Sequence, residues 1–118
     1  MDSARARVIE QLPDDLSVLL ERLALELKEL YGERYRDMGL YGSYARGEAD
    51  EGSDVGLLLL LEGDVNTTRE LLRAEEVEWP LSLEAGYTIS LLPVSVEGYQ
   101  NSEQPFLRNA RVEGISLS

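Results

Sequence analysis

Five consecutive leucines, Leu57 to Leu61, constrain this chain more than any other feature. Successive side chains of a strand point to opposite faces, so an unbroken apolar run leaves neither face for water. The run is far too short to cross a bilayer as a helix. It reads as a strand from Asp54 to Leu61, central in a sheet and covered on both sides. Gly63-Asp64 closes it.

The rest of the chain supplies the covering layers. Leu16, Leu19, Leu20, Leu23, Leu27 and Leu30 recur at spacings of three and four, which predicts an amphipathic helix that ends near Tyr31 at Gly32. Residues 4 to 12 form a shorter helical candidate before the break at Pro13. Asp37 to Tyr41 is a strand candidate, ended by a turn at Gly42-Ser43, with Ser43 as the N-cap of a brief helix through Ala45 and Arg46. Glu48 to Ser53 is an exposed loop. Thr67-Thr68-Arg69-Glu70 matches a capping box opening a helix toward Trp79, which Pro80 interrupts before a short turn from Leu81 to Ala85. Tyr87 to Leu92 gives a third strand, and short helices are expected around Val96 to Tyr99 and Gln104 to Val112. This order predicts an α/β fold, a short mixed sheet packed against helices, in a single domain spanning residues 1–118.

Composition narrows the chemistry. Asp and Glu number 23 against 11 Lys and Arg, a formal charge of −12 that opposes unassisted binding to nucleic acid or an anionic membrane and suits a basic partner. There is no cysteine and no histidine, so thiolate metal sites, disulfides, Ser-His-Asp triads and imidazole acid–base catalysis are excluded. Catalysis would have to use carboxylates, hydroxyls, lysine, arginine or backbone amides. The N-terminal residues lack the apolar core of a signal peptide, and a cytoplasmic location is expected.

Two places remain for function. Gly42 and Ser43 sit where a strand hands over to a helix, which is explained either by turn and cap chemistry or by a phosphate site made of exposed amides and a hydroxyl. Arg46 is either a phosphate clamp or a surface ion partner. Asp54, at the entry to the leucine strand, is either a strand-entry turn residue or a metal ligand. A partner carboxylate two residues on would share its face, but position 56 is glycine, which fits a bulge, a close backbone approach or a lost ligand.

The run Gly42-Ser-Tyr-Ala-Arg-Gly47, ten residues between Ser43 and Asp54, and Ser53-Asp-Val-Gly-Leu-Leu-Leu-Leu60 resemble the minimal nucleotidyltransferases of the polymerase-beta-like superfamily. Ile89 to Ser95 and Pro105 to Ile115 extend the resemblance. It implies that Gly42 and Ser43 hold the triphosphate of a nucleotide, with ATP expected, and that Asp54 is the catalytic and metal-binding aspartate for Mg²⁺. The family's second aspartate is replaced by Gly56, and the third strand offers Thr88 and Ser90 in place of a third carboxylate. Glu48, Asp50, Glu51 and Glu84 are the remaining substitutes. The resemblance also implies pairing with a helical HEPN-type protein as the antitoxin of a toxin–antitoxin pair. The resulting expectation is a nucleotidyltransferase fold with impaired or absent catalysis. The alternatives are an active AMP-transferring enzyme and a homo-oligomeric nucleotide sensor.

Overall fold

The computed structural model describes residues 10–117. Four strands form one mixed sheet in the order β3-β2-β1-β4. They are β1 (Tyr35–Tyr41), β2 (Val55–Leu61), β3 (Ile89–Ser95) and β4 (Ile115–Ser116). β1 runs antiparallel to β2 and β4, while β2 and β3 are parallel. The helices are α1 (Asp14–Tyr31), α2 (Ser43–Arg46), α3 (Thr67–Ala85), α4 (Val96–Asn101) and α5 (Pro105–Glu113). The helical candidate at residues 4 to 12 falls largely outside the described residues.

The leucine run explains the layering. Every residue of β2 is buried. Val55, Leu57, Leu59 and Leu61 join the larger core, which includes Leu16, Leu20, Leu23 and Leu27 of α1 and Ala74 and Leu81 of α3. Leu58 faces the other way and packs with Leu107 and Ala110 of α5, beside Tyr41, Leu92 and Tyr99. β2 is therefore central with cover on both sides, as its continuous hydrophobicity requires.

Several local expectations are corrected. Thr67 does not cap α3; Asn66 does, with its Oδ1 accepting from the Arg69 amide at 3.0 Å. The capping-box partner is unavailable because Glu70 is turned into the protein, where Arg34 Nη1 meets its Oε2 at 2.8 Å. Tyr31 adds a hydroxyl donor to the Glu70 carbonyl oxygen at 3.2 Å. Pro80 does not interrupt the helix, which is continuous to Ala85. Proline removes one backbone bond there, but buried Ala74, Glu78, Leu81 and Ser82 anchor the helix on both sides of it, and Pro80 itself faces solvent. Packing thus overrides propensity. The third strand runs from Ile89 to Ser95 rather than from Tyr87 to Leu92, and β4 is an additional strand in the C-terminal tail, where only short helices are expected. It is two residues long, with Ile115 opposite Leu40.

Candidate functional site

The site is built where β1 ends and β2 begins. Tyr41 pairs with Gly56, so the turn that leaves β1 at Gly42-Ser43 and the segment that enters β2 at Asp54 lie at the same end of this strand pair. Gly42 makes the turn with φ 81° and ψ −153°, a conformation that favours glycine. Gly42 is also the N-cap, and Ser43 is the first helical residue, which corrects the assignment of Ser43 as the cap. The turn is fixed by the Arg46 amide donating to the Gly42 carbonyl at 3.1 Å and the Glu48 amide donating to the Ser43 carbonyl at 2.9 Å.

Asp54 is exposed and stands one residue before β2. The strand expected from Asp54 thus starts one residue later, at Val55, and Asp54 stands at its entry. The Val55 amide donates to the Thr88 carbonyl at 2.9 Å, so the segment entering β3 lies directly alongside. Thr88 and Ser90 are exposed, and Ser90 is in register with Gly56. Neither offers a carboxylate.

Gly56 has a neighbour that sequence reasoning missed. A Cβ placed on Gly56 would lie 2.8 Å from Cε2 and Cζ of Tyr41 and 3.0 Å from its Cδ2. The Tyr41 ring thus covers the glycine. It stacks edge-on against Phe106 with centroids 5.2 Å apart, and burial raises its hydroxyl pKa. Glycine at 56 is therefore a close-approach residue as well as a position without a ligand. Cross-strand register was the information needed to see this, and a single sequence does not carry it.

The other polar groups are largely committed. Arg46 binds Glu48 through Nε and Glu113 through Nη1, each at 3.1 Å. These two hydrogen-bonded carboxylates hold its guanidinium more firmly protonated. A phosphate would compete with these two carboxylates for its charge. Asp50 folds the preceding loop, accepting from the Gly52 amide at 2.9 Å and the Ser53 hydroxyl at 3.3 Å. Glu84 lies on α3, 3.9 Å from Arg22.

A cleft of about 760 Å³ adjoins this edge, lined in part by Asp15, Tyr44, Asp50, Asp54, Tyr87 and Thr88. Of Gly42, Ser43, Arg46 and Asp54, only Asp54 lines it. Tyr87 donates to Asp15 Oδ1 at 2.8 Å, and desolvation, that hydrogen bond and the Asp15 charge push its pKa up to about 12. It remains a hydrogen-bond donor at neutral pH.

The residues do not fit a pair of metal ions. Mg²⁺ is typically held by one or two carboxylates together with substrate phosphates, and in-line transfer uses paired ions to clamp both reacting oxygens. Among the described residues, no group of three or more carboxylates is placed to hold an ion. Position 56, two residues from Asp54, carries no side chain, and the Tyr41 ring lies over it.

The fold is that of nucleotidyltransferases. Residues 20–115 match the family model of the nucleotidyltransferase domain. The chain is 34% identical over 79 residues to the protein adenylyltransferase MntA of Thermococcus cleftensis, covering 67% of this chain and 74% of that one. Two solved structures share the architecture. A putative nucleotidyltransferase from Sulfolobus solfataricus superposes with a TM-score of 0.57 at 10% identity, over 98% of this chain and 87% of its own. A structure described as the toxin-antitoxin with AMP-PNP gives 0.58 at 13% identity, over 90% and 73%. The chain belongs to the minimal nucleotidyltransferase family. Among the described residues, no helix is long and apolar enough to cross a membrane.

Proposed function

We propose that this chain is a minimal nucleotidyltransferase in which nucleotide transfer is impaired or absent, and that it acts in the cytoplasm as the antitoxin partner of a HEPN-type helical protein. The observation that carries this reading is the Tyr41 ring lying over Gly56, where the family's second aspartate would stand. The charge of −12 suits a basic partner. A structural neighbour belongs to a toxin–antitoxin system. Co-expression with the adjacent gene product should yield a complex, and its affinity should fall by on the order of tenfold between low and high salt, because complementary charge contributes to association. Absence of a complex at low salt would defeat the proposal.

The same reading assigns a residual nucleotide site to the Gly42-Ser43 turn and Asp54. Calorimetry with ATP and Mg²⁺ should give weak binding, lowered about tenfold by Ser43→Ala or Asp54→Ala, as loss of about 1–1.5 kcal/mol per hydrogen bond implies. Tight binding that survives both changes would place the nucleotide elsewhere.

A second reading has its own support in the relative named a protein adenylyltransferase. In it, the chain transfers AMP to its partner using an atypical carboxylate. Incubation with labelled ATP, Mg²⁺ or Mn²⁺ and the partner separates the two. Label on the partner, abolished by Asp54→Ala, would favour transfer.

A further inference from the structure

Helix α3 is apolar on two opposite sides. One side, with Ala74, Val77 and Leu81, packs into the main core. The other carries Leu72, Trp79 and Leu83, which are 63, 65 and 66% exposed. At 3.6 residues per turn these three fall within about 40° of one another around the axis, so they form one stripe along the helix. Glu75 and Glu76 flank it along its middle and Arg69 stands beside its N-terminal end, all three exposed. Lone exposed hydrophobics need no explanation, but an aligned aromatic and two leucines opposite a buried face mark an interaction surface.

A groove of about 440 Å³ runs beside the stripe, lined by Glu75, Glu78, Trp79, Ser82, Leu83 and Ile89, among others. Glu78 is 6% exposed. Its Oε2 accepts from the Ser82 hydroxyl at 2.8 Å, and no salt bridge reaches it among the described residues. Burial, opposed by the Ser82 hydrogen bond and reinforced by Glu75, raises its pKa. A buried carboxylate with one neutral partner is costly to ionise, and a cation entering the groove would offset that cost.

The charge around the stripe identifies the occupant. A second copy of this chain would bring Glu75 and Glu76 of each protomer together on an already acidic surface, which is repulsive. A helix from another protein that presents an apolar strip and lysine or arginine beside it satisfies both features at once. We propose that the exposed face of α3 docks a basic amphipathic helix of a heterologous protein, its apolar strip on Leu72, Trp79 and Leu83 and a cationic side chain in the groove at Glu78. This inference rests on the partner-binding reading above and specifies its surface.

Trp79 is the sole tryptophan of the chain, so it reports on this surface alone. The protein labelled with 5-fluorotryptophan is titrated with the adjacent gene product and followed by ¹⁹F NMR, with affinity measured in parallel by calorimetry. The Trp79 resonance should shift on complex formation. Leu72→Glu and Leu83→Glu should each weaken binding about tenfold or more, as loss of a central apolar anchor does. Both positions are exposed, and circular dichroism checks that the variants remain folded. Glu78→Gln should weaken binding and flatten its salt dependence. A complex that forms at unchanged affinity in these variants, with the resonance unmoved, overturns the docking surface and leaves partner binding intact. No complex in any condition overturns both. A resonance that shifts with protein concentration alone identifies a second copy as the occupant and overturns the heterologous assignment.

Discussion

Replacing Gly56 with alanine is expected to destabilise the protein by about 1–3 kcal/mol, the usual cost of forcing an extra carbon into filled space. The new Cβ would meet the Tyr41 ring at 2.8 Å, and Phe106 stands against the other part of that ring. Tyr41→Ala should lower stability as well, since it leaves a gap above Leu58 and Leu107. The double variant Tyr41→Ala/Gly56→Ala should be more stable than the sum of the single effects allows, by about 1 kcal/mol or more, which is the signature of two residues sharing one space. Urea melts of the four proteins give this coupling directly. Additive effects would mean that the ring does not constrain position 56.

The metal question depends on the same pair. Gly56→Asp alone should fail to gain Mn²⁺-dependent thermal stability, because the ring occupies the carboxylate's place. Tyr41→Ala/Gly56→Asp should gain it. Two carboxylates on one strand face repel until a divalent ion neutralises them, and an ion that binds only the folded state raises its stability. An equal Mn²⁺ shift in the parent, the single and the double variants would show that position 56 does not face such a site.

Arg34→Ala is expected to cost about 1–3 kcal/mol, because it removes the ion partner of the buried Glu70 carboxylate, an effect that solvent screens at the half-exposed Arg34 guanidinium. Glu70 is buried, and Arg34 is its only ion-pair partner among the described residues. Arg34 also donates through Nη2 to the Asp64 carbonyl at 3.1 Å, and so ties the segment after β2 to the end of α1. Glu70→Gln in the Arg34→Ala background should recover part of the loss, since it removes the stranded charge. It should not recover all of it, since the Asp64 contact stays broken. Thermal or urea melts of both variants decide this; no recovery would mean that Glu70 charge is not the cause.

Sequence made the frame legible through burial. Leu57 to Leu61 required a strand covered on both faces, and the stripe from Leu16 to Leu30 required a helix to cover one of them; both are present. Failures occurred where long-range contact decides a local outcome. Pro80 breaks helices in isolation but is held here by its neighbours' packing. Glu70 matches a capping-box position but is drawn inward by Arg34, a residue 36 positions earlier in the chain. The site shows the same division. That the Gly42-Ser43 turn and the Asp54 entry lie at one end of the β1–β2 pair follows from antiparallel pairing across a short connection, which the spacing implies. The Tyr41 ring over Gly56, the two carboxylates on Arg46 and the edge-strand Ile115 depend on register and tertiary contact, which spacing leaves undetermined.

The edges of the sheet bear on how this protein avoids self-assembly. Open strand edges are templates for further strands and so for polymerisation. On one side the outermost strand, β3, carries Pro93, which has no amide proton to offer an incoming chain. On the other side, β4 is two residues long and gives an incoming strand little to register against. Both features work against a further strand adding to β3 or β4, so self-association by sheet extension is disfavoured at those two strands.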